Sequence, residues 1–297
     1  MIQPQPFDPA SPFVGRETAL AHLHHALNNP QPRHAVVFTG RRYTGKTALL
    51  HHARTTFDEL DLSLLLTVDK RLTADEATLL STLYEGLDEL LLAAGFSANR
   101  LPVLPDAPIP WREWLTQIGL PGLMTVLRGG RRLIVLLDDA DQLLDAIAAG
   151  RLPEDTLSYL QTLLRPQFYL VLTIRDEDRL AELSPLVSPE DAFRLRWLTE
   201  AEISGLFADE DQAKWVHRLT GGYPLLVRRF AAETDMQQAE TRVYAASVPI
   251  YHELWSTLNQ NERLLLTALV SRLYDDPLKS VTAADLESWL VETDYHL

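Results

Sequence analysis

Three runs of the chain are apolar at almost every position: His34 to Thr39, Leu133 to Leu137 and Phe168 to Thr173. Each is short and rich in branched or aromatic residues, the pattern of a strand buried on both faces. Leu62 to Val68 reads the same way, and Phe193 to Trp197 is a candidate fifth strand. Between these runs the period becomes helical. A helix is expected over about 17–27, ended by Asn28-Asn29-Pro30 and Pro32, and another over 46–57. Thr73 and Glu76 have the spacing of a capping box, and Gly95 fits the stop of a helix of about twenty residues. The stretch 96–110 holds Pro102, Pro105, Pro108 and Pro110 and reads as a surface insertion. The helix expected over 111–128 carries Gly119 and Pro121, which predicts a kink, with Gly129-Gly130 closing it. A further helix is expected over 153–164.

Strands alternating with helices predict an α/β fold with a doubly wound, mostly parallel sheet, helices covering both faces. After Trp197 the pattern is helical throughout. Thr199 and Glu202 form another capping box, followed by helices near 200–208, 210–219, 224–239, 248–258, 260–273 and 282–292. Residues 1–12, with four prolines and no periodicity, read as an extended arm. The last helix runs nearly to Leu297 with no closing strand behind it, so the chain is expected to be the front part of something longer. No internal repeat is visible.

Charge narrows the function classes. The chain has 297 residues, with 41 acids against 27 bases and a formal net charge of −14. Four of those bases are lysines (Lys46, Lys70, Lys214 and Lys279) and the rest are arginines. Coating nucleic acid or an anionic membrane needs a basic footprint that this balance lacks. Zero cysteines exclude disulfides, thiolate metal sites and cysteine nucleophiles. No apolar run approaches a membrane span, and the first residues show neither a basic nor an apolar leader region, so a cytoplasmic protein is expected.

The segment Gly40-Arg41-Arg42-Tyr43-Thr44-Gly45-Lys46-Thr47 matches G-x-x-x-x-G-K-[ST], the phosphate-binding loop, between an expected strand and an expected helix. Its glycines let successive backbone N–H groups face the phosphates. The lysine neutralises them, the Thr47 hydroxyl ligates Mg²⁺, and the helix that continues through Ala48 offers its positive N-terminus. Gly40 to Ala48 are therefore candidate nucleotide-binding residues, with ATP or ADP as ligand. Arg41 and Arg42 stand at variable positions, where backbone matters more than charge.

Such a loop calls for an apolar strand ending in an acid. Leu133-Ile134-Val135-Leu136-Leu137-Asp138-Asp139 supplies it. Asp138 is the expected magnesium partner, through water, and Asp139 the general base that polarises the attacking water. Asp141 is expected to be a cap or solvated. The histidines at 22, 24, 25, 51 and 52 read as solvated helix faces rather than a metal site, and Trp111 with Trp114 as packing.

Phe13-Val14-Gly15-Arg16-Glu17 resembles the F-x-G-R-E box that opens many AAA+ and STAND-class (NB-ARC-like) ATPases, including origin-recognition-like ones. Phe168 to Arg175 looks like their fourth strand, whose T-x-R end senses the γ-phosphate. Thr220-Gly221-Gly222-Tyr223-Pro224-Leu225-Leu226 resembles the G-x-P motif of the helical lid. The resemblance covers about 13–297 and implies a P-loop sheet of order 5-1-4-3-2 over 13–197. An all-α lid would occupy 198–245 and an incomplete winged-helix-like segment 246–297. It further implies that Val14 and Gly15 line the adenine side, Arg16 holds the opening loop, Arg175 acts as sensor 1 and Pro224 brackets the base. Lys46, Asp139 and Arg175 are then the candidate catalytic residues, and Thr47 and Asp138 the candidate metal ligands.

Two departures from oligomeric motors favour a slow switch. No arginine finger is unambiguous, Arg151 and Arg165 being candidates, and the lid motif lacks the sensor 2 arginine, although Arg228 and Arg229 lie one turn on. The expected function is a slowly hydrolysing, STAND-like signal-transduction ATPase that uses ATP/ADP state for conformational change and assembly, with itself or a protein partner. An origin-recognition-like or transposition-helper ATPase acting on DNA is the alternative, as is a non-hydrolysing scaffold stabilised by ADP. Against DNA, Tyr244 to Leu297 carries eight acids and three bases.

Overall fold

The computed structural model describes residues 13–29, 32–57, 61–104, 110–127, 130–233, 236–274 and 280–292. The arm expected over 1–12 and parts of the 96–110 insertion lie outside them. The chain divides after Leu198 into two compact units.

The first unit begins with α1 (Glu17–Leu27), β1 (Ala35–Thr39), α2 (Lys46–Thr56), β2 (Asp61–Thr67) and α3 (Glu76–Ala93). It continues through α4 (Trp111–Trp114), α5 (Leu120–Val126), β3 (Arg132–Asp138), α6 (Asp141–Ala148), α7 (Thr156–Leu163), β4 (Phe168–Ile174) and β5 (Val187–Arg194). The five strands form one sheet in the order β2-β3-β4-β1-β5, every pair parallel. Read from the other edge, that is the 5-1-4-3-2 order expected.

The apolar runs at β1, β3 and β4 are continuous because both faces are covered. Ala35, Val37, Leu133, Val135, Leu137, Leu170 and Leu172 pack with α3, α5, α6 and α7. Their alternates Val36, Phe38, Ile134, Leu136, Tyr169 and Val171 pack with Ala19, Leu23 and Leu27 of α1 and Leu49, Leu50 and Ala53 of α2. By the same alternation Asp138 and Thr173 face the side that holds α2.

Several boundaries differ from expectation. The side chain that caps α3 belongs to Asp75, which accepts from Thr78 N at 2.7 Å. Thr73 instead lies buried in the preceding loop, donating to Asp69 O at 2.8 Å. The fifth strand starts at Val187 and includes Pro189. It pairs only with β1, and an edge strand can spare the N–H that proline lacks. Between α4 and α5, residues 115–119 form a wide π turn. There the Trp114 ring lies where a Cβ on Gly119 would come within 2.7 Å, and Pro121 cannot continue the hydrogen-bond ladder. Helix α6 was not anticipated from the pattern.

The second unit contains α8 (Glu200–Ile203), α9 (Glu210–Thr220), α10 (Pro224–Ala231), α11 (Met236–Thr257), α12 (Gln260–Leu273) and α13 (Ala283–Glu292). Thr199 and Glu202 form the expected capping box on α8. Helix α9 ends at Gly221 with φ 60°. The helices expected over 224–239 and 248–258 are instead α10 and one long α11, which passes through Pro249. Arg229 of α10 donates to Ala246 O and to Ser247 Oγ at 2.7 Å, supporting the turn that the proline weakens. Among the described residues this unit contains no strand.

Candidate nucleotide-binding site

β1 ends at Thr39, and the chain then turns sharply through Gly40 to Gly45 into α2. A side chain at Gly40 would meet Thr44 Oγ1 at 2.7 Å and Leu195 O at 3.0 Å, so only glycine fits. Gly45, with φ 94°, precedes the helix in a backbone conformation open to glycine. No side chain caps the first turn of α2, which leaves its amide groups for an anion. Thr44 Oγ1 closes the loop on Arg41 O at 2.8 Å. Tyr43 has φ 64°, and the exposed Arg42 lies 5.0 Å over its ring.

Lys46 is buried, and its Nζ donates back to Gly40 O at 2.6 Å and Arg41 O at 3.1 Å. Burial pulls its pKa below the ordinary lysine value, while Asp139, Asp138 and Asp141 oppose that shift. The neighbouring Thr47 donates from Oγ1 to Asp138 Oδ2 at 2.6 Å.

Asp138 is the last residue of β3, where the register pairs Leu137 with Leu172 of β4. Its other oxygen accepts from Thr173 Oγ1 at 2.5 Å. Thr173 also receives Asp139 N at 2.9 Å, so one buried hydroxyl orders both acids. Asp139 has φ 58°, a left-handed conformation that Asp tolerates. Its carboxylate accepts from Arg175 Nε at 3.1 Å and Nη2 at 2.9 Å. That bidentate bond raises the Arg175 pKa above the usual arginine range.

Asp141, expected to be a cap or solvated, is neither free nor exposed. It is buried at the first turn of α6 and accepts Arg175 N on Oδ2 at 2.8 Å. Burial raises its pKa, with that backbone bond opposing. Asp141, expected only as a cap or solvated acid, and Thr173, seen only as the start of the T-x-R strand end, are the two site-forming residues missing from the sequence-based candidates. The close spacing of three acids at the strand end was the available signal.

The candidates Lys46, Thr47, Asp138, Asp139 and Arg175 thus meet at the C-terminal ends of β1, β3 and β4, where open α/β sheets bind ligands. Val14 and Gly15 lie just ahead of Arg16, whose buried guanidinium donates to Thr44 O at 2.9 Å. Phe13 stacks on His52 of α2 at 4.1 Å, which holds this opening segment to the helix. Pro224 is the buried first residue of α10. The finger candidates are occupied within the chain. Arg151 donates to Thr73 O and Oγ1, and Arg165 precedes β4, at the opposite, N-terminal end of the strands, donating to Leu163 O.

A hydroxyl and a carboxylate in direct contact form a hard oxygen donor set that suits Mg²⁺. Among the described residues no group of three or more His, Cys, Asp or Glu side chains could hold another metal. No helix among them is long and apolar enough to cross a membrane.

The sheet order and the loop define the class: this is the P-loop ATPase fold of the AAA+ type. The chain is similar to the ORC2 protein of Aeropyrum pernix in its ADP form, with a TM-score of 0.58 and 14% identity over 97% of this chain and 82% of that one. It is also similar to a Walker-type ATPase of Pyrococcus abyssi, with a TM-score of 0.56 and 15% identity over 95% and 89%. A third likeness is to the origin recognition complex of Drosophila bound to DNA, with a TM-score of 0.50 and 16% identity over 95% and 82%. No protein-family model and no curated protein sequence matches the chain. Two of these three likenesses are to ORC proteins, which stands nearer to the expected alternative than to the signal-transduction reading.

Proposed function

We propose that this chain binds Mg·ATP at the C-terminal ends of β1, β3 and β4, hydrolyses it slowly, and uses nucleotide state as a switch in the manner of an origin-recognition-like AAA+ ATPase. The observation that carries this reading is the convergence of Lys46, Thr47, Asp138, Asp139 and Arg175 at the C-terminal ends of the three central strands. The loop amides of Gly40 to Thr47 would wrap the phosphates, and Ala48 would continue the helix behind them. Lys46 would exchange Gly40 O and Arg41 O for phosphate oxygens. Thr47 and Asp138 would hold Mg²⁺, which supplies neutralisation of the phosphate charge. Asp139 would orient the attacking water and take its proton, and Arg175 would reach the γ-phosphate. On the adenine side, Val14 and Gly15 would line the base and Pro224 of the helical lid would bracket it. The helices from 198 to 245 would act as that lid and those from 246 as a winged-helix-like module that displays nucleotide state to a partner or a second copy. The origin-recognition likeness supports this reading better than a signal-transduction role.

Binding of labelled ATP, followed by phosphate release, tests it. Lys46→Ala should lose binding, and Asp139→Asn should keep binding but turn over far more slowly. Unchanged affinity in the lysine variant would overturn the assignment. A phosphate-release rate equal to that of buffer would favour the ADP-stabilised scaffold.

A second reading, action on DNA, is favoured by the likeness to the DNA-bound Drosophila complex. The eight acids and three bases of 244–297 oppose it, since phosphates are held by basic footprints. Binding of duplex DNA that weakens steeply with salt would establish it.

A further inference from the structure

Both oxygens of Asp139 are occupied by one guanidinium, that of Arg175. A carboxylate held in this way has no oxygen facing the guanidinium side for a water. The backbone at each end of the pair is fixed. Asp139 N is bound to Thr173 Oγ1, and Arg175 N to the buried carboxylate of Asp141. The Arg175 side chain, by contrast, is 45% exposed, so its guanidinium can swing without breaking core packing. Lys46, Asp138 and Asp141 are the other charged groups whose fields reach this pair.

We propose that Asp139 and the γ-phosphate compete for Arg175, and that this exchange sets the preference for ATP over ADP while freeing Asp139 only when a triphosphate is bound. The proposal rests on the nucleotide-binding reading above and adds regulation to it. The physical reason is charge density. A terminal γ-phosphate carries more negative charge and more acceptor oxygens than a carboxylate, so it can take the guanidinium away. ADP has no γ-phosphate and leaves the ion pair closed, with the general base engaged. One pair thereby couples ligand choice to chemical competence.

The test is a double-variant cycle read by calorimetric titration of the full chain with Mg·ADP and with Mg·AMP-PNP, a non-hydrolysable triphosphate. Asp139→Asn suits the purpose because Asn tolerates the left-handed backbone at this position and removes the competing charge. Arg175→Met keeps the aliphatic stem and removes the donors. In the unmodified background Asp139→Asn is expected to raise the AMP-PNP to ADP affinity ratio about two- to fivefold, the range of a half-exposed ion pair. In the Arg175→Met background the same change should leave the ratio as it was. An equal rise in both backgrounds would mean simple repulsion between Asp139 and the phosphate, and no rise in the unmodified background would mean no competition. Either overturns the exchange while leaving nucleotide binding intact. A chain that binds neither nucleotide overturns the binding reading and the exchange together. Circular dichroism of each variant separates these outcomes from misfolding.

Discussion

The buried guanidinium of Arg16 donates to Thr44 O, 28 residues further on, at 2.9 Å. Arg16 caps α1 in a left-handed conformation, φ 73°, and Thr44 is the residue at which the phosphate loop turns toward its second glycine. One hydrogen bond therefore ties the opening segment to the loop proposed to hold phosphates.

Arg16→Ala should leave Thr44 O short of a charged donor and lower stability by about 1.5–3 kcal/mol, the range for hydrogen bonds to charged groups. It should also weaken inorganic tripolyphosphate as much as ATP, because the loop and not the base is disturbed. Calorimetry with both ligands checks this. Loss of ATP affinity with unchanged tripolyphosphate affinity would place Arg16 on the adenine instead.

Thr173→Val keeps shape and removes a hydroxyl that serves Asp138 and Asp139 N. Asp138 loses a donor, so nucleotide affinity should depend more weakly on added Mg²⁺, and chelation should cost the variant less than the unmodified chain. Titration with ATP in magnesium and in EDTA reads the difference directly.

Asp141 gives a pH signature. Its folded pKa lies above the model-peptide value of 3.8, so between those two values the folded chain holds more protons than the unfolded one. Its contribution to stability should therefore fall as pH rises through that window. Asp141→Asn keeps an acceptor for Arg175 N and should abolish the trend, which urea unfolding across mildly acidic pH would show. Asp141→Ala leaves the amide unpaired and should cost about 1–3 kcal/mol.

Lys46 has the opposite sign. Its folded pKa is below 10.5, so the unfolded chain binds more protons between the folded value and 10.5, and stability should rise with pH there. Unfolding of Lys46→Met over the same alkaline range should lack that rise. An identical slope in both proteins would show that the ammonium is not desolvated.

The central strands were readable from the chain because continuous apolar runs leave no polar face to expose. Of β5 only the end at Phe193 was, since Val187-Ser188-Pro189-Glu190-Asp191 looks like a loop and is a strand only because β1 supplies its partner. Helix α6 escaped, Asp141 at its start reading only as a cap or a solvated acid, and the cap of α3 was misplaced by two residues because two plausible caps compete at 73 and 75.

The phosphate loop was determined by the sequence alone: eight consecutive residues whose backbone makes the site need no distant partner to be recognised. The acids are a different matter. Three of them crowd the end of β3, and their spacing cannot say what each one meets. Only the parallel register of β3 on β4 puts Thr173 on Asp138, Arg175 on Asp139 and the Arg175 amide on Asp141, across 35, 36 and 34 residues of chain. Those pairings are set by a sheet whose hydrogen bonds are non-local, and they are what divides three similar carboxylates into three environments.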